Sequence, residues 1–543
     1  MPLFCLRDPA DAVKRYIINS YYAIFYAGYS HFLSSIDMSR PRTLAELQAH
    51  YGARYRWLLL VAVMTGAMAS IMSSTIVNVA IPDMSQHFTL GQERAQWVSS
   101  GFMVAMTVSM LTTPWLLVRY GYRRTYAATM WLLLTGGVVG GLSNQFDLVL
   151  MARVAEGLAA GVVQPIPAII ILRTFEPHEQ GRAMGIFGMV VVLAPALGPS
   201  IGGVLVDLFG WRSIFFMVVP FCLASLWMAR RYVPVTAPGG VAVNRDNATL
   251  DWRGLLLASV ATLCLLNGMV ALHGGSFPLA LGLLASSALA LAAFVWWQRR
   301  LGRALTDNSV LNSGIKSKTG QAPLLNLALF KHRQFAMGSI VAFIYGTAMF
   351  GSTYLFPVYL QLGLGLSASY VGTMLLPAGL VLAVTIAVVG RLADKHPAYL
   401  LVTIGLSLLA LGFALMVTVD LKTSIWVIVI LAIMGRMGLG FVLPSLNLGS
   451  MRGLNQDLIA QGASAINFLR AAGGATGVSL CAIVLEWRLA AHGESLAHPS
   501  TNPARLAAFN ESFLMLATIC ALAIVAAWQL REAAPTRFLP PTE

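Results

Sequence analysis

Charged side chains are scarce in this chain. Asp, Glu, Lys and Arg make up 11% of its 543 residues, less than half of the ~25% with which a water-soluble domain clothes its surface. Hydrophobic residues account for 57%, and the mean hydropathy is +0.72. This excludes the string of soluble domains that the length alone suggests, and leaves lipid as the medium over most of the surface. Acid is scarcer than base, with 22 Asp and Glu against 36 Lys and Arg and a net charge of +14. The excess base is scattered between apolar runs rather than gathered on one solvated face, so no nucleic-acid partner is expected. The five cysteines (Cys5, Cys222, Cys264, Cys481 and Cys520) form no CxxC and no metal-ligand spacing. Four of them fall in apolar runs and read as small buried hydrophobes. All nine histidines lie in tails, loops or span ends, so none is a natural buried proton relay or metal ligand. No nucleophile, base and metal ligands converge at one depth of an apolar run, which argues against a membrane enzyme.

What the chain does have is long apolar runs. A span needs about 20 mostly apolar residues, and fourteen runs qualify: 57–80, 95–118, 125–142, 147–171, 183–206, 213–233, 254–272, 277–298, 335–361, 370–390, 398–419, 424–448, 459–485 and 511–531. Lys and Arg collect on the cytoplasmic side of a membrane. With the N-terminus inside, inner segments carry 28 of the 36. The outer loops hold five, Arg94, Arg212, Lys422, Arg488 and Arg505, while Arg153, Arg436 and Arg470 lie within spans. One span more or fewer would flip every later loop and erase this contrast. The sequence therefore predicts an all-α integral membrane protein with fourteen transmembrane helices and both ends cytoplasmic. The expected organisation is a cytoplasmic tail over 1–56, a six-helix bundle over 57–233 and a linker over 234–334 holding two extra helices (254–298). A second six-helix bundle over 335–531 and a short cytoplasmic tail over 532–543 complete it.

Residues 16–33 tempt a further span, but Asn19, Ser20, Ser30, His31 and several tyrosines suit an interface better than a hydrocarbon core. The segment also lacks the small-residue cleavage site of a signal peptide. Two readings stay open for it: an interfacial segment, or a start at Met38, which leads into a basic, helix-like stretch through Arg56. Further on, the chain repeats itself. The fourth span contains Arg153-Val-Ala-Glu156-Gly157 and the twelfth Arg436-Met-Gly-Leu439-Gly440. Both read Arg-x-x-x-Gly, both run from outside to inside, and each has a proline further on, Pro165 and Pro444. The loops before the third and eleventh spans also correspond, with Arg119, Gly121, Arg123 and Arg124 in one and Gly390, Arg391, Asp394 and Lys395 in the other. Such duplicated halves are common in transporters.

The fifth span carries Ala194–Gly203, APALGPSIGG, which is similar to the antiporter motif of exporters. Trp211-Arg212-Ser213-Ile214-Phe215-Phe216 and Val219-Pro220 follow, and Thr75–Pro82, TIVNVAIP, closes the first span. Over residues 55 to 531 the chain thus resembles the fourteen-span drug:proton antiporter branch of the major facilitator superfamily (EmrB/QacA-like multidrug efflux permeases). The resemblance implies two six-helix bundles around a central cavity, with spans seven and eight as a two-helix insert. It implies proton-driven efflux of amphipathic small molecules by alternating access across the inner or plasma membrane, with the proton gradient in place of any cofactor. It makes Pro195, Gly198, Pro199, Gly202 and Gly203 a hinge and seal, and Arg119, Gly121, Arg123, Gly390, Arg391 and Asp394 cytoplasmic gating loops. For Gram-negative relatives it implies a periplasmic membrane-fusion adaptor and an outer-membrane channel as partners. The sequence departs from the pattern at Ser73, where many relatives carry Asp, at Val118, where an acid is frequent, and at Glu156, where Gln is usual.

Among the acids, only Glu156 falls well inside a span. It lies nine residues beyond Asp147, or about 13 Å along a helix at ~1.5 Å per residue, near the midplane. Arg153, three residues earlier, shares its face. Burial favours the neutral carboxyl and the neighbouring cation the ionised one, and opposed influences of this kind suit a proton switch. Glu156, with Arg153, is the expected proton-coupling residue. Arg436 and Arg470 are expected to bond backbone carbonyls and polar neighbours such as Asn467. Ser73, Asn78, Arg436, Asn467 and Arg470 are candidates for lining the cavity. Three embedded cations against one acid argue against a divalent cationic substrate and leave neutral, zwitterionic and anionic amphiphiles. A solute:proton symporter or metabolite exporter of the same superfamily is the alternative, whereas a membrane sensor or scaffold would lack an output module. The charge contrast yields a direct test. A fluorescent reporter fused after Glu532 is expected to mature in the cytoplasm, and a reporter active only in the periplasm would refute the topology.

Overall fold

The computed structural model describes residues 44–90, 92–235, 249–273, 276–311, 323–495 and 502–531. The alternatives for residues 1–37 and the tail after Glu532 lie outside them. Helices make up nearly all of the described residues, as a chain must when lipid offers its backbone no hydrogen bonds. A short helix, α1 (Leu44–Tyr51), precedes the first long one, and together they bear out the helical reading of the stretch through Arg56. The first half comprises α2 (Tyr55–His87), α3 (Gln92–Ser109), α4 (Thr113–Tyr120), α5 (Tyr122–Leu142), α6 (Phe146–Val163), α7 (Ile166–Thr174), α8 (Pro177–Phe209) and α9 (Ser213–Tyr232). The hairpin α10 (Trp252–His273) and α11 (Phe277–Leu311) follows. The second half comprises α12 (Arg333–Val358), α13 (Ala368–Ala393), α14 (Ala398–Leu415), α15 (Ile425–Met451), α16 (Ile459–Ala491) and α17 (Pro503–Trp528).

Thirteen helical stretches among the described residues are long and apolar enough to cross a membrane. The fifth predicted span coincides with α8, which is not among the thirteen; the side chains of Ala196, Leu197, Pro199 and Ser200 within it lie outside the described ones. Several helices outrun their apolar runs. The last starts at Pro503 rather than 511, because Asn502 caps it by accepting a bond from the Arg505 N–H at 2.8 Å. Arg505, placed by its sequence in a loop, is therefore a fully buried residue of the first turn, where its Nη2 donates to the Ser495 carbonyl at 2.9 Å. Glu511 likewise moves from a span edge into the helix, and pairs there with Arg488 of α16. Gly121, at φ +79°, ends α4 and lets α5 begin at the next residue, a left-handed conformation that a side chain would oppose.

The two halves pack by one scheme. In the first, α2 lies along α8 and α9, and α6 along both α3 and α5; in the second, α12 lies along α16 and α17, and α15 along both α13 and α14. The repeated Arg-x-x-x-Gly does the same work in each. A Cβ at Gly157 would stand 3.0 Å from the Phe102 Cα, so α6 touches the backbone of α3. One at Gly440 would stand 2.8 Å from the Thr385 Cβ, so α15 closes in the same way on α13. Small residues permit such backbone approach where apolar burial offers little drive.

Between the halves, α8 runs along α13, and α16 meets α4 and α7. The hairpin is pinned at its base by the buried Asp251, which accepts bonds from the Gly254 N–H (2.9 Å), Trp297 Nε1 (2.9 Å) and Gln298 Nε2 (2.7 Å). Its first helix, α10, packs on both α3 and α16.

The fifth-span glycines do not all play one part. A Cβ at Gly198 would stand 2.5 Å from Thr75 Oγ1, and one at Gly202 2.6 Å from Ile76 Cγ1, so both admit α2. Gly203 has nothing within 4 Å of that position and is not a packing residue. Gly198→Leu is accordingly expected to lower stability by about 1–3 kcal/mol through overpacking, whereas Gly203→Ala should change it by less than about 0.5 kcal/mol. Thermal unfolding of the purified variants in detergent measures both.

Candidate functional site

Inside the first half, three side chains that the sequence singles out converge. Ser73 of α2 and Arg153 and Glu156 of α6 are each 1% exposed. Arg153 Nη1 pairs with Glu156 Oε2 and also donates to Ser73 Oγ at 2.8 Å. Its Nη2 donates to the Ser73 carbonyl at 3.0 Å and its Nε to the Val98 carbonyl at 3.3 Å. Ser73 Oγ donates to Glu156 Oε2 at 3.0 Å. The guanidinium also lies over the Phe102 ring, 4.2 Å from its centroid, so the cation is held on one face by π electrons. The other carboxylate oxygen, Glu156 Oε1, has no hydrogen-bond partner. It rests against α5, where a Cβ at Gly137 would stand 3.4 Å from Oε1 and one at Gly136 2.6 Å from the Glu156 Cγ. The α5 glycines make the room that the acid occupies. Ser73, expected to line the cavity, is instead sealed inside the first half, because its hydroxyl is drawn into the ion pair.

The second half holds a different set. Arg436 of α15 is half-buried and donates from Nη1 to Thr353 Oγ1 of α12 at 3.2 Å. Arg470 of α16, also half-buried, donates from Nη2 to Asn467 Oδ1 at 2.7 Å, the neighbour named from the sequence. Asn467 Nδ2 donates to the Ala463 carbonyl at 2.8 Å. Tyr345 of α12 lies within electrostatic reach of both guanidinium groups, is fully buried, and its hydroxyl has no hydrogen-bond partner. Asn78 belongs to neither cluster: it is exposed, and its Oδ1 accepts from Ser99 Oγ at 2.9 Å.

At the Arg-rich end the halves meet closely. A Cβ at Gly390 of α13 would stand 2.6 Å from the Gly185 Cα of α8, so two helix backbones touch there. One turn away, Asp394 accepts bonds from the backbone N–H groups of Gly181 (2.6 Å) and Arg182 (2.9 Å), near the N-terminus of α8, where the helix dipole favours an anion. Burial pushes its carboxyl above the usual carboxylate range, and the two N–H groups pull it part of the way back. Arg173 Nη2 adds a bond to the Gln456 carbonyl of the second half at 2.8 Å. Arg123 Nη2 donates within its own half, to the Arg230 carbonyl at 2.7 Å. Arg119 is half-buried and Arg391 exposed, and neither forms an ion pair among the described residues. Pro195 is half-buried within α8, and the side chain of Pro199 lies outside the description.

Phe102, Tyr345, Gly136, Gly137 and Gly181 escaped the reading of the sequence. The glycines had a signal, since Gly136-Gly137 and Gly140-Gly141 recur one turn apart in the third span. The two aromatics had none, because one ring in an apolar run looks like any other.

The profile of the Major Facilitator Superfamily matches residues 63–478. The multidrug resistance protein Stp of Mycobacterium tuberculosis is 27% identical over 80% of this chain and 76% of its own length. The riboflavin transporter RibZ of Clostridioides difficile is 23% identical over 87% of this chain and 97% of its own. Among solved structures, that of the human organic anion transporter MFSD10 superposes with a TM-score of 0.60 at 16% identity, covering 87% of this chain and 99% of that one.

The ion pair sets a stability test. Glu156→Ala leaves Arg153 buried without its counter-charge and is expected to cost about 3–5 kcal/mol. Glu156→Gln keeps an acceptor for Arg153 and Ser73 and should cost clearly less. The two unfolding temperatures should fall in that order.

Proposed function

Because the chain belongs to the Major Facilitator Superfamily, we propose that it exports amphipathic small molecules against a proton gradient, with Glu156 as the group that takes up and releases the proton. It is a transporter and not an enzyme. What supports the coupling role is the unpartnered Oε1 of a carboxylate held deep in the first half, since an ionisable group inside a membrane protein is costly and marks a functional pathway by default. Ser73 stands where many relatives carry an acid, and it bonds to Glu156 directly. On this reading, an acid of the fourth span takes the work expected of one in the first, at a cluster that the first-span position joins directly. Protonation cancels the anion that Arg153 holds, and the guanidinium is then left with Ser73, the Val98 carbonyl and the Phe102 ring. That redistribution is the local event that biases the bundle. One proton crossing ~150 mV supplies about 3.5 kcal/mol, enough for a gradient of roughly a few hundredfold of a neutral substrate.

The alternation follows from the contact at the Arg-rich end. With that end cytoplasmic, the Gly185–Gly390 touch and the Asp394 capping bonds close the inner side, and the captured state faces outward. Fourteen spans, two six-helix bundles, an inner-membrane location and, in a Gram-negative host, an adaptor and outer-membrane channel belong to the same proposal. The kinship with multidrug resistance proteins supports export of varied amphiphiles. The similarity to a riboflavin transporter, over 97% of that protein's length, supports a second reading, movement of a single aromatic metabolite, on the same scaffold.

Glu156→Gln retains shape and removes titration. It is expected to bind substrate with little change and to lose most pH-gradient-driven export in everted vesicles, while Ser73→Ala keeps the greater part. Export by Glu156→Gln at the normal rate, with the normal dependence on the gradient, places the coupling group elsewhere.

A further inference from the structure

The two halves treat the same arginine differently. In the first, Arg153 has the acid Glu156 three residues on and the hydroxyl of Ser73 on the first helix of its bundle. In the second, Arg436 keeps the equivalent hydroxyl, Thr353 on α12. The place of the acid, three residues on, is taken by Leu439, which is 1% exposed. Arg470 then adds a second cation, and among the described residues no carboxylate lies within ion-pair distance of either. An arginine does not discharge itself by losing a proton, so two such groups inside a membrane call for an anion from outside the chain.

The geometry gives that anion a place. Both arginines are half-buried rather than sealed, and Thr353 is exposed in the body of α12. A Cβ at Gly346 would stand 2.9 Å from the Gly474 N, so α12 closes on α16 there, beside Tyr345 and Arg470. Asn467, Arg470 and Ala471 share one face of α16, and Ala471 packs with Phe468 against Phe102, Met106 and Met110 of the first half. Arg470 therefore stands beside the seam between the bundles, next to an apolar wall. The orphan hydroxyl of Tyr345, fully buried and within electrostatic reach of both cations, is a donor awaiting an acceptor.

We infer that Arg436, Arg470 and Tyr345 form an anion-binding subsite in the second half, beside its seam with the first, and that the transported amphiphiles carry a carboxylate or comparable oxyanion seated there with their apolar part against Phe468 and Met106. The inference rests on the proposed export function and names its substrate class. Leu439 takes the place of an internal counter-ion, so the site is satisfied only when loaded.

The test uses the full-length chain in nanodiscs with dansylglycine, an aromatic carboxylate, and its methyl ester, in which one methyl group caps the carboxyl and removes the charge. The acid is expected to bind at least about tenfold more tightly than the ester, the factor that one charge-assisted hydrogen bond supplies. Arg436→Gln and Arg470→Gln should each bring the affinity of the acid down to that of the ester and so remove that preference. Leu439→Glu, which restores the acid of the first half, should weaken the dansylglycine complex by a similar factor without altering binding of the ester. Equal affinity of the wild-type chain for acid and ester, or a preference that survives in both arginine variants, overturns the subsite. Reconstituted vesicles separate this from the function itself. If the preference is present yet neither compound moves with an imposed pH gradient, proton-driven export falls and the subsite stands. If the ester is driven but the acid binds no more tightly, the subsite falls and export stands.

Discussion

A charge inside the membrane must be solvated by something other than bulk water, and the interior of this protein is arranged around how few groups are present to do it. In the first half the answer is internal. Arg153 is surrounded by Glu156, the Ser73 hydroxyl and carbonyl, the Val98 carbonyl and the Phe102 ring, and α5 gives up side chains at Gly136 and Gly137 so that the carboxylate can fit. The arrangement is dense and sealed, and it leaves one carboxylate oxygen without a partner. In the second half the same helix positions hold the arginine and the hydroxyl without the acid. One bundle is thereby self-sufficient in charge and the other is not. That asymmetry, laid over a symmetric packing scheme, is what divides proton handling from substrate handling in our reading.

Glycine decides where the bundles can touch. At the Arg-rich end, Gly181 and Gly185 of α8 face Gly390 of α13 so closely that no Cβ fits between the backbones, and the Asp394 carboxylate binds the adjacent N–H groups. Contact of this kind is all-or-none. Two helices either seat backbone to backbone or separate by a side-chain layer, which is the bistability that alternation between two states requires.

The fold was legible because membrane insertion imposes so strong a constraint on composition. Thirteen of the predicted spans coincide with apolar helices, and the correspondence of Arg153 and Arg436 marked halves whose helices do pack alike. Glu156, Arg153 and the Arg470–Asn467 pair could be paired from spacing alone, since i and i+3 share a helix face. Ser73 was assigned to the cavity because nothing in a sequence says towards which neighbour a hydroxyl turns; the ion pair 80 residues away decides it. Helix ends were misjudged where hydropathy stops before hydrogen bonding does, as at Pro503, whose cap lies in a polar segment. Tyr345 and Phe102 were invisible, for their roles depend on cations brought to them by other helices.

The hairpin of α10 and α11 has a consequence for traffic in the plane of the bilayer. Leu111 of the first half, Ala258 and Phe294 of the hairpin and Phe468 of the second half share one apolar cluster, so α10 lies across the groove in which α3 and α16 face each other. Along α8 and α13 the two bundles instead meet each other directly, backbone to backbone at Gly185 and Gly390. A lipid-dissolved molecule drifting sideways thus meets different walls on different flanks, one roofed by the hairpin and one made by the bundles themselves. The surroundings of the bundles are lopsided, although the bundles are packed by one scheme.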